Sequence, residues 1–583
     1  MAKKTVEMNP ILQAALEYEF PPYSEETGWD KIVVNGDHSH LCPTYVKRTP
    51  PCQASCPAGE DIRGYHNLLR GVEKSDNKWE AAWRRITERN PFPAMMGRLC
   101  PAPCQTGCNR QFVDETIGIN AVEHAIGDYG VEHGLAFPKP TVSTGKKVAV
   151  VGGGPAGLSC AYQLRRRGHQ VVLYEGRAKL GGMARYGIMG YRMPRRELDA
   201  EIQRIIDLGI EVKTNCKLGK EVTLDQLRKQ YDAVFLGVGG QSGRDLPIPG
   251  SDLPAVANAI EFLVGFEEKG KAGMKIPKRV TAVGDGDVAM DVVRLALRLG
   301  AKEVTLLSAV GREDMKCLPQ EIKDALAEGT KIEYAIGTVQ VKENPKGGII
   351  VECVRMEPKQ KGEEGWDSPI PFFRYKPIAG TEFEVQTDML VSAIGQGIDR
   401  QGIEEVVGKA PWLKVDRNYQ VPGMEGVFGG GDVLSLTLLT TAIGHGRLAA
   451  ERIDDYVSGR PFAKEISDNV IRFEKLKSDY FKITPQSRRS HVHVQKVADN
   501  WDDLLNKLTP EETLAESSRC MSCGLCFECD QCMIYCPQET ITKFKSNPIG
   551  TVMFTVYNGC VGCHICSLVC PTGYITMGMG EGL

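Results

Sequence analysis

The sequence predicts a multidomain protein in which two nested α/β units stand between an α-helical, cysteine-bearing domain and a small α+β domain. Three observations predict it. The chain has 583 residues, too many for one hydrophobic core and enough for three or four domains. Two glycine-rich strand–turn–helix segments lie in its middle, KKVAVVGGGPAG from Lys146 and VTAVGDGDVA from Val280. The twenty cysteines fall mostly at the ends: six between 42 and 108, ten between 520 and 570, and only Cys160, Cys216, Cys317 and Cys353 between.

Each element follows from local pattern. Residues 1–40 read as an irregular arm rich in Pro, Gly and charge. Residues 41–136 hold the first cysteines and the helical stretch DIRGYHNLLRGVEKSDNKWEAAWRRITERN, which ends at the breaker NPFP. FPKPTVSTGKK is a linker. The outer α/β unit runs over 146–245, is interrupted by a second unit at 246–387, and resumes at 388–460. The closing strands AVFLGVGG and MLVSAIGQG and the segment VFGGGDV argue for that nesting. A polar helical linker is expected at 461–519 and a small cysteine-rich domain at 520–583.

Composition excludes several classes. Hydrophobic residues make up 42% and charged residues 25%, ordinary for a globular protein. A net charge of -3 argues against nucleic acid or an anionic membrane as partner. No run approaches the roughly 20 apolar residues of a membrane span, and the start lacks an apolar signal core. A cytoplasmic protein is expected. Cysteines clustered at two- and three-residue intervals point to metal or cluster ligation in a reducing compartment rather than to disulfides.

The first glycine turn is Gly152-x-Gly154-Pro155-Ala156-Gly157, after a strand and before a helix, with Glu175 at the end of the next strand. Glycines let backbone amides approach a pyrophosphate at the helix N-terminus, and the acid binds a ribose hydroxyl. Strand, turn, helix and acid together make a strong signal. The second turn, Gly284-x-Gly286-Asp287-x-Ala289, repeats the logic, but Ser308 stands near the usual place of the acid and no arginine pair follows. Its alternative is an empty, degenerate unit. Two nested sites imply FAD outside and NADH or NADPH in the insert. FAD exchanges electron pairs with nicotinamide and single electrons with clusters.

At the C-terminus, Cys526-x2-Cys529-x2-Cys532-x3-Cys536-Pro and Cys560-x2-Cys563-x2-Cys566-x3-Cys570-Pro match the doubled ferredoxin run, in which each fourth cysteine serves the other cluster. The expected sets are Cys526, Cys529, Cys532 and Cys570, and Cys560, Cys563, Cys566 and Cys536. Zinc is the alternative, but it does not require the doubled run. At the N-terminus, Cys52-x3-Cys56 and Cys100-x3-Cys104-x3-Cys108 support at least one cluster.

Seven segments, among them PPCQASCPAGEDIRGY, NPFPAMMGRLCPAPCQTGCNR, LGGMARYGIMGYRMPRREL, VTAVGDGDVAMD and VFGGGDV, make residues 41–455 resemble the glutamate synthase small-subunit family of iron–sulfur flavoproteins. The resemblance implies an N-terminal [4Fe–4S] cluster held by Cys56, Cys100, Cys104 and Glu123. It implies FAD contacts at Gly182, Gly431 and Asp432, and a helix opening at Thr441 and Ala442 that points at the flavin. It also implies a second N-terminal cluster on a C-x2-C-x4-C run. Here Cys52 and Cys108 match, but Thr44 and Lys47 stand where the upstream pair should be, with Cys42 out of register. That cluster is therefore absent, ligated unusually or completed from elsewhere; Cys520 and Cys523 of SRCMSCG, surplus to the ferredoxin sets, are candidates for the missing pair, and reduced linker thiols are the other reading. Three or four [4Fe–4S] clusters result. Ala309 and Val310 replace the family's arginine pair for the NADPH phosphate, which favours NADH.

The expected activity is an NAD(P)H:acceptor oxidoreductase. Hydride passes between nicotinamide and FAD, and single electrons pass through clusters to or from a redox protein. The appended ferredoxin domain resembles the iron–sulfur flavoproteins of dissimilatory sulfur metabolism, which implies siroheme sulfite reductase as partner. A homodimer is also entertained. Hydride transfer needs no acid–base dyad, so no catalytic residue is singled out. The competing readings are a glutamate synthase small subunit, disfavoured by the C-terminal domain, and a non-catalytic electron-relay subunit.

Overall fold

The computed structural model describes residues 39–463, 469–492, 497, 500–543 and 553–579. Nearly all of the expected N-terminal arm lies outside them. The described chain opens with strand β1 (Cys42–Tyr45) and the helical domain, whose main helices are α1 (Ile62–Leu69), α2 (Pro93–Leu99) and α3 (Ile119–Glu132). Asp61 caps α1 through the Gly64 amide. α2 and α3 touch backbone to backbone at Gly97 and Gly127, where any Cβ would fall 2.3 Å or less from the other helix.

The outer unit contributes β2 (Lys147–Val151), α4 (Pro155–Arg166), β3 (Gln170–Tyr174), α5 (Arg195–Ile206), β4 (Glu211–Lys213) and β5 (Ala233–Leu236). The second unit has β6 (Val256–Asn258), β7 (Arg279–Val283), α6 (Asp287–Leu299), β8 (Glu303–Leu307) and β9 (Lys331–Glu333). An antiparallel sheet follows, from β10 (Ile336–Glu343), β11 (Ile349–Pro358), β12 (Tyr375–Pro377) and β13 (Phe383–Thr387). Then come β14 (Met389–Ser392), β15 (Val427–Gly429), α7 (Leu439–Val457) and α8 (Pro510–Ser518). The last strands are β16 (Ile541–Lys543), β17 (Met553–Thr555) and β18 (Ile575–Gly578).

The outer sheet has the order β15–β5–β2–β3–β4 and the second β9–β8–β7–β14–β6, each parallel throughout. Residues Val148–Val151 are buried on both faces, as a central parallel strand requires. Helix α4 lies against α7 so closely that a Cβ at Gly446 would meet the Ala156 carbonyl at 2.1 Å.

Three expectations are corrected. The strand at 389 does not return to the outer unit. β14 pairs with β7 and β6 in the second sheet, with Leu390 opposite Thr281 and Val256. The outer unit resumes beyond the two-stranded ladder of Ser242–Gly243 with Gln396–Gly397. An apolar run such as MLVSAIG suits the middle of either parallel sheet, so its composition does not choose between them. The linker after 461 is not helical as a whole: its described part holds two 3-10 turns and one α-helix, α8. The first described residues are also not free of the C-terminus. β1 pairs antiparallel with β18, with Cys42 opposite Gly578, so the small ferredoxin-like domain is closed by a strand from the other end of the chain.

The helical domain and the outer unit share one apolar core, in which Trp83 stacks on Phe137 and Phe137 meets Tyr162 at a tilt. The second unit has a core of its own around α6.

Candidate functional site

The outer glycine turn is shaped for a ligand. Gly152 has φ +104° and a Cβ there would meet the Gly237 carbonyl at 2.2 Å; at Gly157 it would meet the Gly152 carbonyl at 1.9 Å. Gly154, the N-cap of α4, is open apart from Gly182, and no side chain caps the helix. The first amides of α4 therefore face a bare glycine cradle, which suits a pyrophosphate. Glu175 is buried at the end of β3. Its Oε2 accepts from the Gly153 amide (2.8 Å) and its Oε1 from the Arg177 amide (2.7 Å). Burial raises this carboxyl and those amides hold it back. It thus stands beside the turn, as expected of a ribose-binding acid.

Gly431 (φ +79°) passes over α4, where a Cβ would be 2.7 Å from that of Ala156. Asp432 is half-buried, and its Oδ1 accepts from the Thr437 amide (3.1 Å) and hydroxyl (3.3 Å). Burial pushes its carboxyl up to about 6. Thr441 and Ala442 lie in the first turn of α7, again without a side-chain cap.

The second turn has the same build. Gly284 lies so close to β14 that a Cβ would be 2.5 Å from the Ala393 carbonyl, while Gly286 is open and caps α6 without a side chain. The Asp287 carboxylate is turned to the Leu318 amide (3.0 Å). Ala289 is fully buried in the second core. Ser308 is fully buried, and its hydroxyl donates to the Val310 carbonyl (3.0 Å). Arg312 is exposed.

The outer unit meets the cysteines through α7. A Cβ at Gly444 would lie 2.1 Å from the carbonyl of Pro57, the residue after Cys56, and Arg447 Nε donates to the Ala58 carbonyl at 3.1 Å. Beyond this contact Cys56, Cys100, Cys104 and Glu123 come together, each within electrostatic reach of the others. Burial pushes the Cys56 thiol up to about 12. Sequence reasoning missed Glu60 here. Asn90 Nδ2 donates to both Glu60 Oε1 (2.8 Å) and Glu123 Oε1 (3.1 Å), and burial pushes Glu60 up to about 7. Its only sequence signal was an acid in the matched segment PAGEDIRGY. The fully buried Tyr65 hydroxyl beside these groups has no hydrogen-bond partner among the described residues. Buried thiols at these positions are costly as bare thiolates, and iron would supply the compensating charge.

The two ferredoxin runs line two small cavities. One cavity is lined by Cys526, Cys529, Cys532 and Cys570, with Phe527 and Tyr574. Another is lined by Cys536, Cys560, Cys563 and Cys566, with Pro43 and Met577. Both fit a cluster with crossed ligation. Cys42 is corrected: its thiol is a neighbour of Cys560, because β1 belongs to the ferredoxin-like domain, and it is absent from the N-terminal group. Cys52 has Cys108, Cys520, Cys523 and Arg63 as electrostatic neighbours. Among the described residues no three Cys, His, Asp or Glu side chains converge as around a single ion. No helix among the described residues is long and apolar enough to cross a membrane.

Comparisons with known proteins agree with this geometry. A family model described as pyridine nucleotide-disulphide oxidoreductase matches residues 146–446. Another, described as dihydropyrimidine dehydrogenase domain II, 4Fe-4S cluster, matches residues 41–135. The chain is 34% identical to the NADP(+)-dependent formate dehydrogenase subunit beta of Moorella thermoacetica, over 72% of this chain and 62% of that relative. It is 30% identical to the NADPH-Fe(3+) oxidoreductase subunit beta of Geobacter sulfurreducens, over 82% of this chain and 75% of that one. It is 32% identical to the glutamate synthase [NADPH] small chain of Bacillus subtilis, over 69% and 88%. Among solved structures, FprA from Mycobacterium tuberculosis covers 54% of this chain and 85% of its own, at 17% identity and a TM-score of 0.45.

Proposed function

Because the chain belongs to the pyridine nucleotide-disulphide oxidoreductase family, we propose that it is an NAD(P)H-dependent FAD and iron–sulfur oxidoreductase exchanging single electrons with a redox protein. The observation that carries this reading is the backbone contact of Gly444 with Pro57. It ties the helix at the flavin site to the loop of the first cysteine set, so flavin and cluster chemistry belong to one path. FAD, when bound, would take a hydride from nicotinamide and release its electrons one at a time.

The chain's own residues supply position and charge. The α4 amides and Glu175 hold the outer dinucleotide. The α7 N-terminus offers uncapped amides to negative charge on the flavin ring. Cys56, Cys100, Cys104 and Glu123 hold the near cluster, and the two crossed sets hold the ferredoxin pair. For the second nucleotide the three relatives described above are NADP-linked by name, against the NADH preference read from Ala309 and Val310, while the glutamate synthase of Schizosaccharomyces pombe, 32% identical, is named for NADH. No carboxylate stands at Ser308 to repel a 2′-phosphate, and the exposed Arg312 follows. We assign NADPH. The acceptor is a one-electron protein, among which siroheme sulfite reductase remains to be tested.

Anaerobic reduction of a viologen dye by the isolated protein tests the proposal. NADPH-driven reduction is expected. A protein that carries FAD and iron but gives no reduction with either nicotinamide would be an electron-relay subunit instead.

A further inference from the structure

Among the cysteines left over once the near cluster and the ferredoxin pair are filled are two pairs, Cys52 and Cys108 at one end and Cys520 and Cys523 at the other. The fold brings them together. The turn after α8 is laid on α1: His66 Nδ1 lies 3.2 Å from Ser517 Oγ, and Ser522 Oγ donates to Asn67 Oδ1 at 2.6 Å. Arg63 Nη1 donates to the Cys523 carbonyl at 2.6 Å and Arg70 Nη1 to that of Cys520. Ser522 (φ +49°) and Gly524 (φ +75°) bend this turn sharply. From the Cys108 side, Arg110 Nη1 donates to the Arg519 carbonyl (3.1 Å) and Asn109 Nδ2 points at Cys523 Sγ (3.8 Å). Gly107 packs against Ser55, at the end of the short helix that carries Cys52.

The surroundings are arranged for an anion. Arg63 is 4% exposed, and neither it nor Arg70 has a carboxylate within ion-pair distance among the described residues. Arg63 Nε has no hydrogen-bond partner there either. Asp61 acts on Arg63 from beyond ion-pair distance, and both guanidinium groups face Cys520 and Cys523. A buried, unpaired cation is costly; a four-thiolate cluster, a net anion, would pair with both.

We propose that Cys52, Cys108, Cys520 and Cys523 hold a further [4Fe–4S] cluster, ligated in equal parts by the two ends of the chain, with Arg63 and Arg70 as its counter-charges. This rests on the reading of the chain as a cluster-bearing flavoprotein. The chain order gives the cluster its place. Cys52 is four residues before Cys56, and Cys523 is three before Cys526. The cluster therefore stands between the near cluster and the first ferredoxin cluster. When bound there, it would supply one-electron transfer between its two neighbours, with no bond made or broken and no proton moved. It also clamps the ferredoxin-like domain onto the helical domain.

The test compares full-length protein, anaerobically reconstituted with iron and sulfide, with a Cys520→Ala/Cys523→Ala variant and a separate Cys108→Ala variant. Iron, sulfide, zinc and FAD are assayed, and dithionite-reduced samples are examined by electron paramagnetic resonance. The double variant should lose about four irons and four sulfides, keep its FAD, and lose one spectral component. Cys108→Ala should lose that same component. Iron content equal to the parent, zinc in place of iron, or loss of different components from the two ends would overturn the proposal. Parent protein without any cluster would instead overturn the function on which it rests. Should the cysteine variants fail to fold, Arg63→Gln keeps all four ligands. It should lower the midpoint potential of that one component with iron unchanged, and a potential equal to the parent's would overturn the site.

Discussion

The two parallel sheets are built alike and differ in what surrounds their glycine turns. In each, the strand that leads into the glycine turn is central, with two strands on either side of it, and a glycine N-cap opens an uncapped helix. In the outer unit the turn is closed so tightly that Gly157 has no room for a methyl group, and Glu175 is locked beside it by two backbone amides. In the second unit Ala289 fills the matching place and Ser308 replaces the acid. On the proposed function, the outer site would retain its dinucleotide and the second would exchange one. A resident cofactor and a diffusible one need different grips.

Exchanging features between the turns tests that contrast. The largest effect is expected from Gly157→Ala. Its methyl group would fall 1.9 Å from the Gly152 carbonyl, so the turn must open. Loss of nearly all bound FAD is expected, with destabilisation of about 3 kcal/mol, read by flavin absorbance per protein and by thermal unfolding. The reciprocal Ala289→Gly should cost only about 1 kcal/mol and leave nicotinamide use intact. Full FAD in Gly157→Ala would mean that the outer turn is no tighter a grip than the second.

Ser308→Asp gives the second site an acid like that of the first. An added carboxylate near a 2′-phosphate costs on the order of 2 kcal/mol, or roughly 30-fold in affinity, so kcat/KM for NADPH should fall by about that factor while NADH is spared. Equal losses for both would show that Ser308 acts through packing alone. Arg312→Ala is the milder counterpart, with about a tenfold loss confined to NADPH and an effect that shrinks with added salt. An unchanged ratio of the two nicotinamides would remove Arg312 from the site.

What could be read ahead of the structure was whatever lies close in sequence. Gly152, Gly154, Gly157 and Glu175 belong to one strand–turn–helix–strand unit, and the crossed ferredoxin sets occupy two short runs. Their spacing reflects their geometry directly. The misreadings concern partners distant in sequence. β14 could not be assigned to the second sheet, because a fully buried parallel strand carries no periodicity that names its neighbours. Cys42 was grouped with Cys52 by proximity in the chain, whereas β1 leaves that domain to pair with β18. Glu60 gave no signal of its own, since one acid among many becomes notable only when Asn90 joins it to Glu123. Cys520 and Cys523 were legible only as a surplus at one end matching a deficit at the other.

The two sheets differ also in attachment, because only the outer one shares a core with the helical domain. Glu201 of α5 is a polar part of that joint. It is fully buried, and its Oε1 and Oε2 accept from the Ala94 (2.7 Å) and Met95 (2.9 Å) amides, capping α2 from another domain. Burial pushes its carboxyl up to about 8, with Arg204 and the two amides pulling the other way. A folded-state value above the ordinary carboxyl value of about 4.3 means that the folded protein keeps a proton the unfolded chain has lost. Stability from this group is therefore full at low pH and declines as pH rises through 8. Glu201→Gln removes the titration and leaves one acceptor oxygen for two amides, at about 1 kcal/mol. The expected result is an unfolding temperature slightly below the parent's at pH 4 and above it at pH 8, with a flatter profile between those values. A slope equal to the parent's would mean that Glu201 is ionised throughout, held by the α2 amides and Arg204 as a fixed charge.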